Sequence, residues 1–302
     1  MTARLSASRV ATAYLYIAPF FVLFIVFGLF PILYSLALSF TYWKGGGAPV
    51  FVFLDNYIAL FQDRSFFKAL YNTLFIFVVG HAVMLPGAFL IAYVLTTEYV
   101  KRKNLFQAFF FTPIVTSTIA ISLVFSMIFG ERFGVVNYAL SLIGAAPVEW
   151  YHGSGQWIKF VIIVLFVWKW YGWNAVIYFS GMQGIDRELY ECAEMEGAGK
   201  WQILRFITAP LMRPVILYTL VMSFVGGLQL FDEPYIITAA GPTNFSGGTN
   251  QAGLTIAMYL YKCGFSFGQL GYASSIAYAL MFIIVALSLL SFRFLNGRGE
   301  RP

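Results

Sequence analysis

From Val10 to Trp43 the chain carries no charged side chain, and the same holds for 69–97, 104–130, 214–231 and 263–292. Each run is near or above the roughly 18 to 20 residues that a helix needs to cross hydrocarbon. Another apolar stretch, 158–181, has Lys159 at its start and one charge near its middle, Lys169. The pattern predicts six spans, at about 13–40, 68–97, 105–129, 158–181, 211–231 and 269–293, in an all-α polytopic chain whose residues 1–302 form one transmembrane domain. One more uncharged run, 234–261, is interrupted by Thr, Asn, Gly, Gln and Ser. Unpaired polar groups of that kind are costly in lipid, so this run is expected to be a loop.

Between the spans, Leu54, Ile58 and Phe61 recur at helical spacing, as do Val136, Leu140 and Ile143. Both sets predict short helices at the outer interface, packed over the bundle or offered to a partner. Composition agrees with the pattern, since 60% hydrophobic against 11% charged residues excludes a soluble enzyme core. The net charge of +6 does not indicate nucleic acid, because the basic residues are scattered among short connections. With the N-terminus inside, the cytoplasmic segments hold Arg4, Arg9, Lys101, Arg102, Lys103, Arg187, Lys200, Arg205, Arg213, Arg293, Arg298 and Arg301, against Lys44, Arg64, Lys68, Arg132, Lys159 and Lys262 outside. That asymmetry favours both termini in the cytoplasm. Arg4 and Arg9 precede more than 30 uncharged residues, too long for the ~7 to 15 of a signal core, so the first span is expected to be retained. Cys192 and Cys263 fall on opposite sides in this topology, which argues against a disulfide.

The connection between spans four and five, 182–213, is the informative one. It gathers Asp186, Glu188, Glu191, Glu194 and Glu196 within 11 positions. Asp186 can cap a helix whose first turn welcomes carboxylates. Gly197 ends that helix, because glycine accepts left-handed angles without a steric cost. A second helix should run from Lys200 until Pro210 interrupts it and span five begins. Leu189, Cys192, Ala193 and Glu196 share a face whose small side chains let another backbone come close. The expected product is a cytoplasmic helix–turn–helix knob.

The stretch "LYECAEMEGAGKWQILRFITAPL" resembles the Glu-Ala-Ala loop of binding-protein-dependent ABC import permeases. Glu191, Ala193, Gly197, Ile207 and Pro210 keep its register, while Cys192 stands at the motif's second residue, an Ala, and Ala209 at the Leu position. Upstream, "GMQGIDRELYE" is similar to the family's Gly-Leu-Gln-x-Ile-Pro lead-in, with Asp186 in place of Pro. The likeness continues through "LDNYIALF", "NTLFIF", "FGVVNYALSLIG", "FDEPYIIT", "GGT" and "LGYASSIAYAL", and looks like the maltose-type or glycerol-phosphate-type first permease subunit. The usual companion permease has a C-terminal extension toward the ATPase interface, whereas this chain ends "FRFLNGRGERP".

The resemblance implies a type I ABC importer fold in the cytoplasmic (inner) membrane of a prokaryote. It also implies a heterodimer with a second permease subunit, two ATP-binding subunits inside and a solute-binding protein outside. ATP and magnesium would be bound by those ATP-binding subunits and no cofactor by this chain, which would not itself be an enzyme. The coupling residues would be Glu191, Cys192, Ala193, Gly197, Ile207 and Pro210.

Other chemistry falls away on spacing. "GAGKW" lacks both the first glycine of a phosphate loop and the Ser or Thr after its lysine. His81 and His152 have no second ligand at metal spacing, which leaves packing or solvent roles. An ion-coupled secondary transporter should show inverted repeats and charged midplane groups, and only Lys169 is of that kind. A membrane-embedded enzyme would need clustered ligands or a nucleophile with its base.

The substrate path draws on weaker signals. Lys169 fits a pore-facing role or a pairing role with a neighbouring helix. Trp168, Trp170, Tyr171 and Trp173 around it can stack on sugar faces or simply pack. In maltose-type permeases the segment matching span five lines the sugar site. Ser223, Gly227, Gln229, Leu230 and Asp232, with Trp170 and Tyr178 from span four, are therefore the path candidates, although Ser223 and the Gly226–Gly227 pair also suit helix packing. A glycerol-phosphate substrate is the alternative to a sugar or oligosaccharide.

Overall fold

The computed structural model describes residues 7–97, 102–239 and 247–296. Arg4, Lys101, Arg298 and Arg301 of the charge argument and the chain end after Asn296 lie outside the described residues. Among the described residues, five helices are long and apolar enough to cross a membrane: Tyr14–Ser39, Arg64–Thr96, Gln156–Gln183, Arg213–Ala239 and Leu270–Arg293. A sixth crossing is a bent pair, Leu105–Val115 and Thr118–Ile128, turned by 94°. The third span is thus broken where a straight helix over 105–129 was expected.

The chain divides into two compact units. The first comprises 1–63 and 260–279. Its long helix crosses Pro19 and a π-helical stretch, Ile25–Leu29. A small antiparallel hairpin follows, Thr41–Tyr42 against Val50–Phe51. Asn56, on the short helix Asp55–Gln62, ties the end of the span to this hairpin by donating to the carbonyls of Ser39 (2.8 Å) and Thr41 (2.9 Å). Tyr272 donates to Asp63 at 2.6 Å, and Tyr278 to the Ile32 carbonyl.

The second unit comprises 64–259 and 280–302. The fourth span is its centre, with 44% of its most apolar window buried, and it packs along the second span. One apolar cluster gathers Ile76, Ile158, Ile162, Leu165, Phe166 and Ile237; another gathers Ala88, Ala92, Ala175, Tyr178 and Met212. At the outer end the short helix Val135–Leu142 is held by Asn137. Its amide donates to the Glu131 and Val148 carbonyls, and its oxygen accepts from the Trp150 indole at 3.0 Å.

Two further expectations need correction. The run 234–261 is not one loop: Asp232–Ala239 is helical and prolongs the fifth span past a break at Gln229–Phe231, and Ile256–Tyr261 is helical again. In the described part between them, backbone groups are satisfied from the second span. Asn72 donates to the carbonyls of Gln251 (2.7 Å) and Leu254 (3.0 Å), and Thr73 accepts from the Ile256 amide at 2.9 Å. Pro210 does not end the helical path, since Lys200–Ile203 continues through a π-helical stretch, Leu204–Thr208, into Ala209–Leu211. The turn before the proline widens to a π form, which lets the path pass a residue with no N–H to donate, and the turn into span five falls at Met212–Arg213 instead.

Candidate functional site

Two places carry candidate function. The first is the helix–turn–helix of 182–213. Arg187–Met195 is a helix with no buried residue, capped by the Asp186 carboxylate, which accepts from the Glu188 amide at 3.1 Å. Arg187 and Glu191 pair across one turn at 2.9 Å, with 78% and 59% of their side chains exposed. Cys192 is exposed and Ala193 half-buried. Gly197 has φ +82° and nothing within 4 Å of where a Cβ would lie, so backbone angle rather than lack of room within the chain calls for glycine. The second helix is anchored: the Tyr93 hydroxyl donates to the Lys200 carbonyl (3.0 Å), and Ile203 and Leu204 are buried, with Ile207 and Pro210 partly so. A cleft of about 860 Å³ lies beside the knob, lined by Glu191, Glu194, Lys103 and Tyr190 among others.

The second place lies between spans two, four and five. A cavity of about 90 Å³ is lined by His81 and Met84, by Trp170, Trp173 and Asn174, and by Tyr218, Thr219, Ser223 and Gly227. Trp170, Ser223 and Gly227 of the expected path are therefore together. Tyr178 is 1% exposed behind the wall, its hydroxyl 2.8 Å from that of Thr219. Gln229 and Asp232 are exposed beyond the end of the helix Arg213–Leu228, and Leu230 is buried in apolar packing. The break at 229–231 separates these three from Ser223 and Gly227, so a single helical face through 223, 227 and 230 does not exist.

Lys169 does not line this cavity. Its ammonium donates to Glu233 Oε1 at 2.9 Å and to Thr118 Oγ1 at 2.5 Å, and lies 5.4 Å from the Trp170 ring centre. The side chains of Lys169 and Glu233 are 8% and 5% exposed. Glu233 sits in the first turn of Asp232–Ala239, where a carboxylate suits the helix dipole. Thr118 opens the second half of the broken third span. One lysine thus joins the restart points of two broken spans. Sequence reasoning missed Glu233 and Thr118. The available signal was that a midspan lysine requires a carboxylate, and acids at the edge of an apolar run are few. It also missed His81 and Asn174, whose isolated polar atoms carry no recognisable spacing.

Five membrane-length helices and one bent pair among the described residues, with a cavity between spans two, four and five and an exposed helical knob, define a polytopic transport subunit of type I importer architecture. The chain belongs to the family of binding-protein-dependent transport system inner membrane components, whose profile matches residues 85–299, and it is a multi-pass inner-membrane protein. It is 36% identical to the lactose transport system permease protein LacF of Rhizobium radiobacter, over 96% of this chain and 97% of that protein. It is 35% identical to the arabinooligosaccharides transport system permease protein AraP of Bacillus subtilis, over 97% and 91%. In fold it is similar to a chain of a bacterial ABC transporter involved in the import of the acidic polysaccharide alginate, with TM-score 0.82, 22% identity and coverage of 97% and 98%.

Proposed function

We propose that this chain is one of two different permease subunits that together pass a sugar or oligosaccharide inward, driven by ATP hydrolysed on two partner subunits and supplied by an external solute-binding protein. The chain itself performs no catalysis and holds no cofactor; ATP and magnesium belong to the partners. Relatives named for lactose and arabinooligosaccharide transport support the carbohydrate class.

The observation that carries the reading is the cavity. It combines two indoles with Ser223, Asn174 and His81 and has no charged group among its described lining residues. Aromatic faces with a few placed hydroxyl-pairing groups suit an uncharged polyol better than a phosphate ester.

The exposed helix Arg187–Met195 fits the coupling role. Glu191, Cys192 and Ala193 would enter a cleft of the ATPase, Gly197 would set the turn, and Ile207 and Pro210 would fix the knob to the bundle. Uptake into proteoliposomes containing the complete transporter tests both parts. Ser223→Ala and Asn174→Leu should change uptake or sugar preference while stimulation of ATPase by the loaded binding protein persists. Gly197→Leu should abolish both without loss of assembly. Unchanged sugar uptake in both cavity variants would remove the path assignment, and normal coupling in Gly197→Leu would remove the coupling assignment.

A further inference from the structure

His81 is the less conspicuous half of the cavity. On sequence it is an isolated histidine in an apolar span. In the fold it is 6% exposed, with its ring 4.1 Å from that of Phe77 and 5.1 Å from that of Phe166 between centres. Its Nδ1 lies 2.8 Å from the Phe77 carbonyl. A carbonyl only accepts, so Nδ1 carries the hydrogen and the neutral ring presents Nε2 as an acceptor. The one hydrogen bond of the ring among the described residues is that of Nδ1, which leaves Nε2 on a ring that lines the cavity. The Ser223 hydroxyl on the same cavity is likewise unpaired among the described residues, although a serine in a span ordinarily bonds back to its own helix. Asn174 spends its amide on the Trp170 carbonyl (3.0 Å), which leaves its oxygen.

The cavity thus offers Nε2, the Ser223 hydroxyl and the Asn174 oxygen, and the group that engages all three is one rich in hydroxyl donors. The fifth span is shaped to the ring: a Cβ at Gly227 would lie 2.7 Å from His81 Cε1 and 2.8 Å from Phe77 Cδ2, so only glycine lets the helix close here. We infer that His81 determines sugar selectivity, its Nε2 accepting a hydrogen bond from one substrate hydroxyl as the sugar passes between spans two, four and five. The inference rests on the cavity being the sugar path.

The test uses the complete transporter with its binding protein in proteoliposomes, with lactose, maltose and arabinobiose as probes. His81→Phe keeps a ring between Phe77 and Phe166 but removes the acceptor; His81→Gln keeps an acceptor. The transported probe should lose about tenfold in kcat/KM in His81→Phe, the worth of one hydrogen bond, and recover most of it in His81→Gln. A singly deoxygenated analogue that costs the wild type about tenfold should cost His81→Phe nothing further. Stimulated ATPase and assembly should be unchanged throughout. Unaltered uptake in His81→Phe while Ser223→Ala or Asn174→Leu lowers it would overturn the assignment to His81 and leave the path standing. Unaltered uptake in all three variants would overturn the path itself. Equal loss of assembly in His81→Phe and His81→Gln would mark the ring as packing alone and overturn the inference.

Discussion

Two ion pairs in this chain have the same nitrogen–oxygen distance, 2.9 Å, and opposite surroundings. Lys169–Glu233 is nearly sealed inside the bundle, and Arg187–Glu191 stands on an exposed helix face. In water the exposed pair gains little, because solvent screens its attraction and ordering two long side chains costs entropy. Inside the bundle each charge has lost its hydration, so neither can be left alone, and the pair acts as an obligation on the fold rather than a bonus. Length alone says nothing about which case applies. The Glu131–His152 contact falls between, at 2.7 Å with side chains 23% and 49% exposed.

The largest effect should come from splitting the buried pair. Lys169→Met leaves Glu233 facing Thr118 without a cation and should cost about 3–5 kcal/mol, whereas Lys169→Met with Glu233→Met should recover most of that. Thermal unfolding of the purified complex reads both. If the single and double variants are equally destabilised, burial is not what sets this pair apart.

The intermediate contact should show itself in pH. Burial alone would push the Glu131 carboxyl up, but the amides of Tyr151 and His152 and the His152 ring donate to it and outweigh that, so it titrates below its ordinary value of 4.5. A depressed carboxylate contributes stability that is present above its unfolded pKa and is lost as pH falls through the folded one. The melting temperature should therefore drop below about pH 4.5 in the wild type. Glu131→Gln should lack that part of the acid dependence, and an identical acid profile would assign it elsewhere.

The smallest stability effect belongs to the exposed pair. Arg187→Ala should change stability by no more than about 0.5 kcal/mol. Glu191→Ala should be as mild in melting experiments and yet lose sugar-stimulated ATPase, if that carboxylate serves the ATPase rather than its neighbour. Loss of stability together with activity would put Glu191 back among structural residues.

Legibility followed the same division. The knob at 182–213 could be read residue by residue because its determinants are local. Asp186 caps within its own turn, Gly197 takes its own backbone angle, and the exposed face needs nothing from elsewhere in the chain. Pro210 was misjudged because a helix can pass a proline when the preceding turn widens to a π form. The fifth span was cut short at 231 because its polar outer part reads as loop until Asn72 and Thr73, far away in sequence, are seen to satisfy the segment that follows.

The sequence by itself determined the membrane class and the form of the helix–turn–helix knob, since those follow from runs of apolar residues and from neighbours a few positions apart. Only the tertiary structure decided that Lys169 meets Glu233 and Thr118, that the third span bends by 94°, and that His81, Asn174 and Ser223 face one cavity. Those partners are separated by 51 to 64 positions for the lysine, and farther still for His81 and Ser223. No local periodicity encodes which polar atom on one helix will lie opposite which atom on another. That is set by how the helices pack, and packing is a property of all the spans together.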